Sequence, residues 1–77
     1  MNIDEEKIDQ VVLALLWLNL HDGCRVWKSF DWDAMQRLHG NGYISNPASK
    51  AKSVQLTGPG MQAAERLFKH WFSSDGA

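Results

Sequence analysis

The sequence predicts a small α+β domain, with three helices and a two-stranded β-ribbon that becomes three-stranded if one further short segment pairs. Three observations carry this prediction. Helix starts are written in the same way three times: an apolar residue, a capping residue, then a second apolar residue five positions after the first, in Ile3/Asp4/Ile8, Phe30/Asp31/Met35 and Leu56/Thr57/Met61. Between the second and third starts, Tyr43-Ile44-Ser45 and Ser53-Val54-Gln55-Leu56 have the composition and alternation of half-buried strands. The chain has 77 residues, enough for one core and not two, so residues 1–72 read as a single domain and 73–77 as a disordered tail.

The first helix begins at about Asp4, with Glu5 and Glu6 in the first turn where the helix dipole favours anions. Its segment Val11 to Leu18 has no polar residue, so the helix must be covered on several sides. Gly23 can supply a left-handed stop after Leu20-His21-Asp22. Cys24 to Lys28, anchored by Val26 and Trp27, is a brief strand or an extended link. The second helix runs from about Trp32 to His39. There the spacing turns Trp32, Met35 and Leu38 inward and Asp33, Gln36 and Arg37 outward. Gly42 ends that region before the first ribbon strand, and Asn46-Pro47 opens either a turn or a single helical turn in the loop between strands. Thr57 caps the last helix, with Pro59 in its first turn and Gly60 where a capping box would place Glu or Gln. Met61, Ala64, Leu67, Phe68, Trp71 and Phe72 share its inner face.

Composition narrows the function. The formal charge is −1, but residues 1–10 are acidic while residues 24–56 hold Arg25, Lys28, Arg37, Lys50 and Lys52 against Asp31 and Asp33. A lone cysteine, Cys24, makes no internal disulfide, and the acidic start and absence of a long apolar run point to a soluble, cytoplasmic protein without a membrane span. A chain this short gains little burial by itself, which favours a homodimer.

The punctuation Leu38-x-x-x-Gly42-Tyr43-Ile44, then a loop with Lys50 and Lys52, then Val54-x-Leu56-Thr57-x-x-Gly60 resembles the second half of a winged helix-turn-helix domain. Phe30 to Phe72 is similar to the recognition helix, wing and closing helix of proteins of the MarR and PadR kind. Across its whole length the chain also resembles a small bacterial family of uncharacterised proteins. The winged-helix resemblance implies that Gln36, Arg37 and His39 face the major groove and that Lys50 and Lys52 meet phosphate. Upstream, Gly23 to Ser29 is too short and too strand-like to hold the helix that precedes a recognition helix.

Each candidate also has a plainer reading. Arg37 and Gln36 have the donors for base edges, yet Asp31 and Asp33 on the same helix repel phosphate. Lys50 and Lys52 make a thin footprint beside the roughly six to ten phosphate contacts of strong binders. His21 and Cys24 have H-x-x-C spacing, but a structural zinc site takes typically four ligands. Trp17, Trp27, Trp32 and Trp71 suit a core better than a stacking platform, Trp27 being the least constrained. No catalytic triad, phosphate loop or paired-carboxylate pocket is written in the chain, so the expectation is a non-enzymatic binding domain without cofactor, metal or small-molecule ligand.

Two functions follow as expectations. One is a nucleic-acid-binding regulator using Arg25, Lys28, Gln36, Arg37, His39, Lys50 and Lys52, with weak nucleic-acid affinity because the basic charge is sparse. The other is a homodimeric protein-interaction module whose interface runs over Val11, Val12, Leu13, Leu15, Leu16 and Trp17.

Overall fold

The computed structural model of the chain describes residues 1–28 and 30–74. In chain order it contains α1 (Glu5–Leu18), β1 (Arg25–Trp27), α2 (Trp32–Gly40), β2 (Ser53–Gln55) and α3 (Gly58–Phe72). The α+β expectation holds, and the three capping residues act alike. The side chains of Asp4, Asp31 and Thr57 accept the backbone N–H of Lys7, Ala34 and Gly60 at 3.1, 3.1 and 3.0 Å. Each bond satisfies one amide that the helix start leaves unpaired.

The apolar pairs flanking these caps do not all behave alike. Phe30 packs partly buried against a core that includes Met35, and Leu56 and Met61 likewise join the core or lie on it. Ile3 and Ile8 stay exposed at 65% and 38%, so the first pair is not the buried staple that the sequence suggested.

α1 also stops earlier than expected. Asn19 caps it, its side-chain amide donating to the Leu15 carbonyl at 2.9 Å. Gly23 is left-handed at φ +83°, as is Asp22 at φ 48°, but they build a tight turn rather than a helix stop. His21 and Arg25 exchange backbone hydrogen bonds across that turn, at 2.8 and 3.1 Å. The turn is what aims β1 at the core.

The sheet corrects the predicted pairing. β2 pairs antiparallel with β1, in the register Arg25 to Gln55, Val26 to Val54 and Trp27 to Ser53. Tyr43–Ser45 forms no named strand. It runs along the other edge of β2 through the single bridge Ile44 to Leu56 and the Ser45 N–H to Gln55 carbonyl bond of 2.9 Å. Successive β2 residues turn their backbone groups to opposite edges, so β2 can serve both neighbours. The loop from 46 to 52 is a turn and not a helical turn: Asn46 accepts the Ala48 N–H through its side chain at 2.9 Å, and Pro47 is buried.

The core gathers Leu13 and Leu16 of α1, Val26 of β1, Ala34, Met35 and Leu38 of α2, Ile44, Val54, Leu56, and Ala63 and Ala64 of α3. α1 packs chiefly on α3 and less on α2. Buried Gly60, Ala63 and Ala64 leave α3 without bulk where it meets the rest, which permits the close approach. Three inward assignments fail. Trp32 is 53% exposed because Ala34, Met35 and Leu38 form the buried face of α2, and Trp71 and Phe72 remain exposed at the end of α3. Trp27 is exposed, as its position suggested. Ser73 caps α3 through its N–H to the Lys69 carbonyl, and residues 75–77 of the expected tail lie outside the described residues. Among the described residues, no helix is long and apolar enough to cross a membrane.

Candidate functional site

Of the residues expected to read nucleic acid, Lys28, Arg37 and His39 are employed inside the molecule. Arg37, on α2, reaches across to α1, where its Nε donates to Asp9 Oδ2 at 2.8 Å and its Nη2 to Asp9 Oδ1 at 2.7 Å. Its remaining arm, Nη1, donates to Glu5 Oε2 at 3.1 Å. Glu5 and Asp9 are four residues apart and so share one face of α1, forming a receptor shaped to the planar guanidinium. The hydrogen bond with Asp9 raises the Arg37 pKa still further above its ordinary value; burial opposes the rise, and the charges of Asp9, Glu5 and Asp31 add to it. The expectation that Arg37 faces outward is therefore corrected. An acid pair at i, i+4 was the signal that sequence reasoning missed, since two such carboxylates repel unless a cation lies between them.

His39 is likewise engaged: its Nδ1–H donates to the Ile44 carbonyl at 3.0 Å, tying α2 to the chain beside β2. Gln36 is half-buried on the same helix. Lys28 donates from Nζ to the Ser49 carbonyl at 2.7 Å and so braces the 46–52 loop. Arg25 projects from the outer face of the sheet, where Trp27 is also exposed and stacks against His21 with ring centroids 4.8 Å apart. Lys50 and Lys52 are exposed on the loop. The basic residues thus divide: Arg25, Lys28, Lys50 and Lys52 belong to the sheet and its loop, while Arg37 belongs to an acidic cluster on the α1 side.

The expected dimer surface is divided too. Val12, Leu13 and Leu16 are buried within the single chain, and Val11, Leu15 and Trp17 are half-buried. For the first three, an interface role is corrected: α1 is largely covered by its own chain, chiefly by α3. Near its C-terminal end, Trp17 meets Phe68 at 4.9 Å and Phe68 meets Phe72 at 5.5 Å, with Leu18 57% exposed.

Two concavities accompany these surfaces. One, of about 200 Å³, has Glu6, Gln10, Tyr43 and Arg66 around apolar Leu13 and Leu67. The other, of about 400 Å³, is a groove lined by Ile3, Glu5, Ile8, Asp31, Asp33 and Arg37. Sequence reasoning did not assemble the groove, because its walls come from residues 3–8 and 31–37 and meet only through tertiary packing. Among the described residues, no three His, Cys, Asp or Glu side chains gather as metal ligands.

The fold and these surfaces define a small α+β domain of three helices and a two-stranded antiparallel sheet. Residues 4–74 match the family described as "Domain of unknown function (DUF6429)", and the chain belongs to that family. It is similar to the uncharacterized protein y4hR of Sinorhizobium fredii (strain NBRC 101917 / NGR234), 51% identical over 73 residues that cover 95% of this chain and 99% of the relative. No solved structure matches the chain. The whole-length resemblance to an uncharacterised bacterial family is met by these findings.

Proposed function

We propose that this domain acts by binding a protein partner and not by chemistry. The observation that carries the reading is the bidentate seat of Arg37 on Asp9, with Glu5 on the third arm. The winged-helix resemblance keeps some support in the order of α2, the paired segments on either side of the 46–52 loop, and α3. Yet a recognition helix needs donors aimed at base edges, and the guanidinium of α2 is spent on α1 while Asp33 stands exposed beside it. Large apolar side chains that stay in solvent, among them Ile3, Leu18, Trp27, Trp32 and Phe72, favour protein contacts. A homodimer is the homotypic form of this reading. It would use the exposed Leu18, Trp71 and Phe72 end rather than buried Leu13 and Leu16.

The test is a titration of labelled random duplex and single-stranded DNA with the full chain, at low and physiological salt, beside Arg37→Ala and a Lys50→Ala/Lys52→Ala double variant. The expected result is weak binding at low salt that disappears at physiological salt and depends on the lysines. Submicromolar, sequence-selective binding at physiological salt that Arg37→Ala abolishes would overturn the proposal.

A further inference from the structure

The groove between the N-terminal parts of α1 and α2 pairs apolar surface with unbalanced negative charge. Ile3 is 65% exposed and Ile8 38% exposed, so both offer apolar surface beside the start of α1. With them line Glu5, Asp31 and Asp33, and the one cation of the lining, Arg37, is already held by Asp9 and Glu5. The lining thus sets three carboxylates, Glu5, Asp31 and Asp33, against one guanidinium that Asp9 also holds, leaving a negative rim beside Ile3 and Ile8 in a groove of about 400 Å³.

Resting on the protein-binding reading, we propose that this groove docks a short basic segment of a partner protein: an apolar side chain seated on Ile3 and Ile8, flanked by Lys or Arg directed at Asp33, Asp31 and Glu5. Charge complementarity selects this occupant. An acidic segment would meet like charge at the rim, and a nucleic-acid strand would bring phosphates against the same carboxylates. A purely basic segment would leave the isoleucines in water, so both components are needed. The residue pattern matches recognition of an amphipathic segment by a groove, with the apolar anchor supplying affinity and the rim charges supplying selectivity. Asp31 has a second task, since one carboxylate oxygen accepts the Ala34 N–H at 3.1 Å, whereas Asp33 is the exposed acid with least to lose.

The test uses the isotopically labelled full chain and four synthetic peptides of equal length: basic with apolar anchors, acidic with the same anchors, neutral with the same anchors, and basic without anchors. Amide NMR shifts locate binding, and titrations give affinities at low and raised salt. The expected result is preferential binding of the basic anchored peptide, shifts centred on Ile3, Ile8 and Asp33, weakening with salt, and a several-fold loss in Ile8→Gln and in Asp33→Lys. Asp33→Lys should gain affinity for the acidic anchored peptide, a reversal that mere loss of folding cannot produce.

Equal binding of the acidic peptide, or of the basic peptide without anchors, would overturn the proposal. Peptides that bind but shift the Leu18 and Phe72 end would overturn the groove and leave the protein-binding reading standing. Concentration-dependent shifts at the groove without peptide would make a second copy the occupant and overturn the basic partner segment. Failure of every peptide, with single-stranded DNA shifting Arg25 and Trp27 instead, would overturn both.

Discussion

The guanidinium of Arg37 and the carboxylate of Asp9 meet edge to edge, through two hydrogen bonds of 2.8 and 2.7 Å that join α2 to α1. The Asp9 side chain is 13% exposed and that of Arg37 is 29% exposed, so the pair is sheltered on one side and less screened than an ordinary surface ion pair. Truncating either partner strands the other. Arg37→Ala and Asp9→Ala should each lower the melting temperature, and the double variant should lose less than the two single losses added together. Arg37→Lys should rescue only part, because an ammonium cannot match two carboxylate oxygens and Glu5 in one plane. Thermal melts of the four variants check this, and strict additivity would refute the coupling.

A second prediction concerns two glycines. A Cβ added at Gly60 would collide with the backbone carbonyl of Tyr43, which also accepts the Thr57 N–H at 3.0 Å and so cannot swing away cheaply. A Cβ at Gly40 meets nothing. Gly60→Ala should therefore destabilise by about 2–3 kcal/mol through overpacking, while Gly40→Ala should be neutral or stabilise by about 0.5 kcal/mol through helix propensity. Chemical denaturation of both variants distinguishes them, and equal midpoints would contradict the packing at Tyr43.

Local chemistry explains why the helix starts were legible and the sheet partners were not. Asp4, Asp31 and Thr57 act within three residues of themselves, so a cap can be read without knowing the fold. The choice of β1 as partner for β2 depends on where the turn at Asp22 and Gly23 sends the chain, and three residues of strand leave little pattern to read. The same limit hid the Arg37 site, whose partners lie 28 and 32 residues away. Gly60 was visible as a departure from the capping box, but its reason lies in Tyr43, which no local rule connects to it.

The register of β2 gives a third prediction. Leu56 is 4% exposed in the core, whereas Gln55 points to solvent from the face that carries Arg25. Leu56→Ser should cost about 2–5 kcal/mol, within the range for deleting a large buried side chain, and Gln55→Ser should stay within about 0.5 kcal/mol of the parent. Equal melting curves would mean that the strand is shifted by one residue, since such a slip exchanges its two faces.

The last prediction separates the core of α1 from its exposed end. Leu16 is fully buried and Leu18 is 57% exposed, although they stand two residues apart in an unbroken apolar run. An interface built on the middle of α1 would make both residues respond to a charge in the same way, by splitting a dimer. The burial instead places Leu16 in the monomer's own core, under α3, where a carboxylate would have no partner and would have to be neutralised or expelled. Leu16→Glu should therefore unfold the chain at every protein concentration, seen as loss of the cooperative thermal transition. Leu18→Glu should keep a melting temperature close to the parent's and abolish any self-association that runs through Leu18, Trp71 and Phe72, seen by light scattering against the chain mass of 8.7 kDa. A folded Leu16→Glu monomer would show that α1 is held by a second copy rather than by α3, because only an interface residue can accept a charge by giving up its partner and keeping its fold.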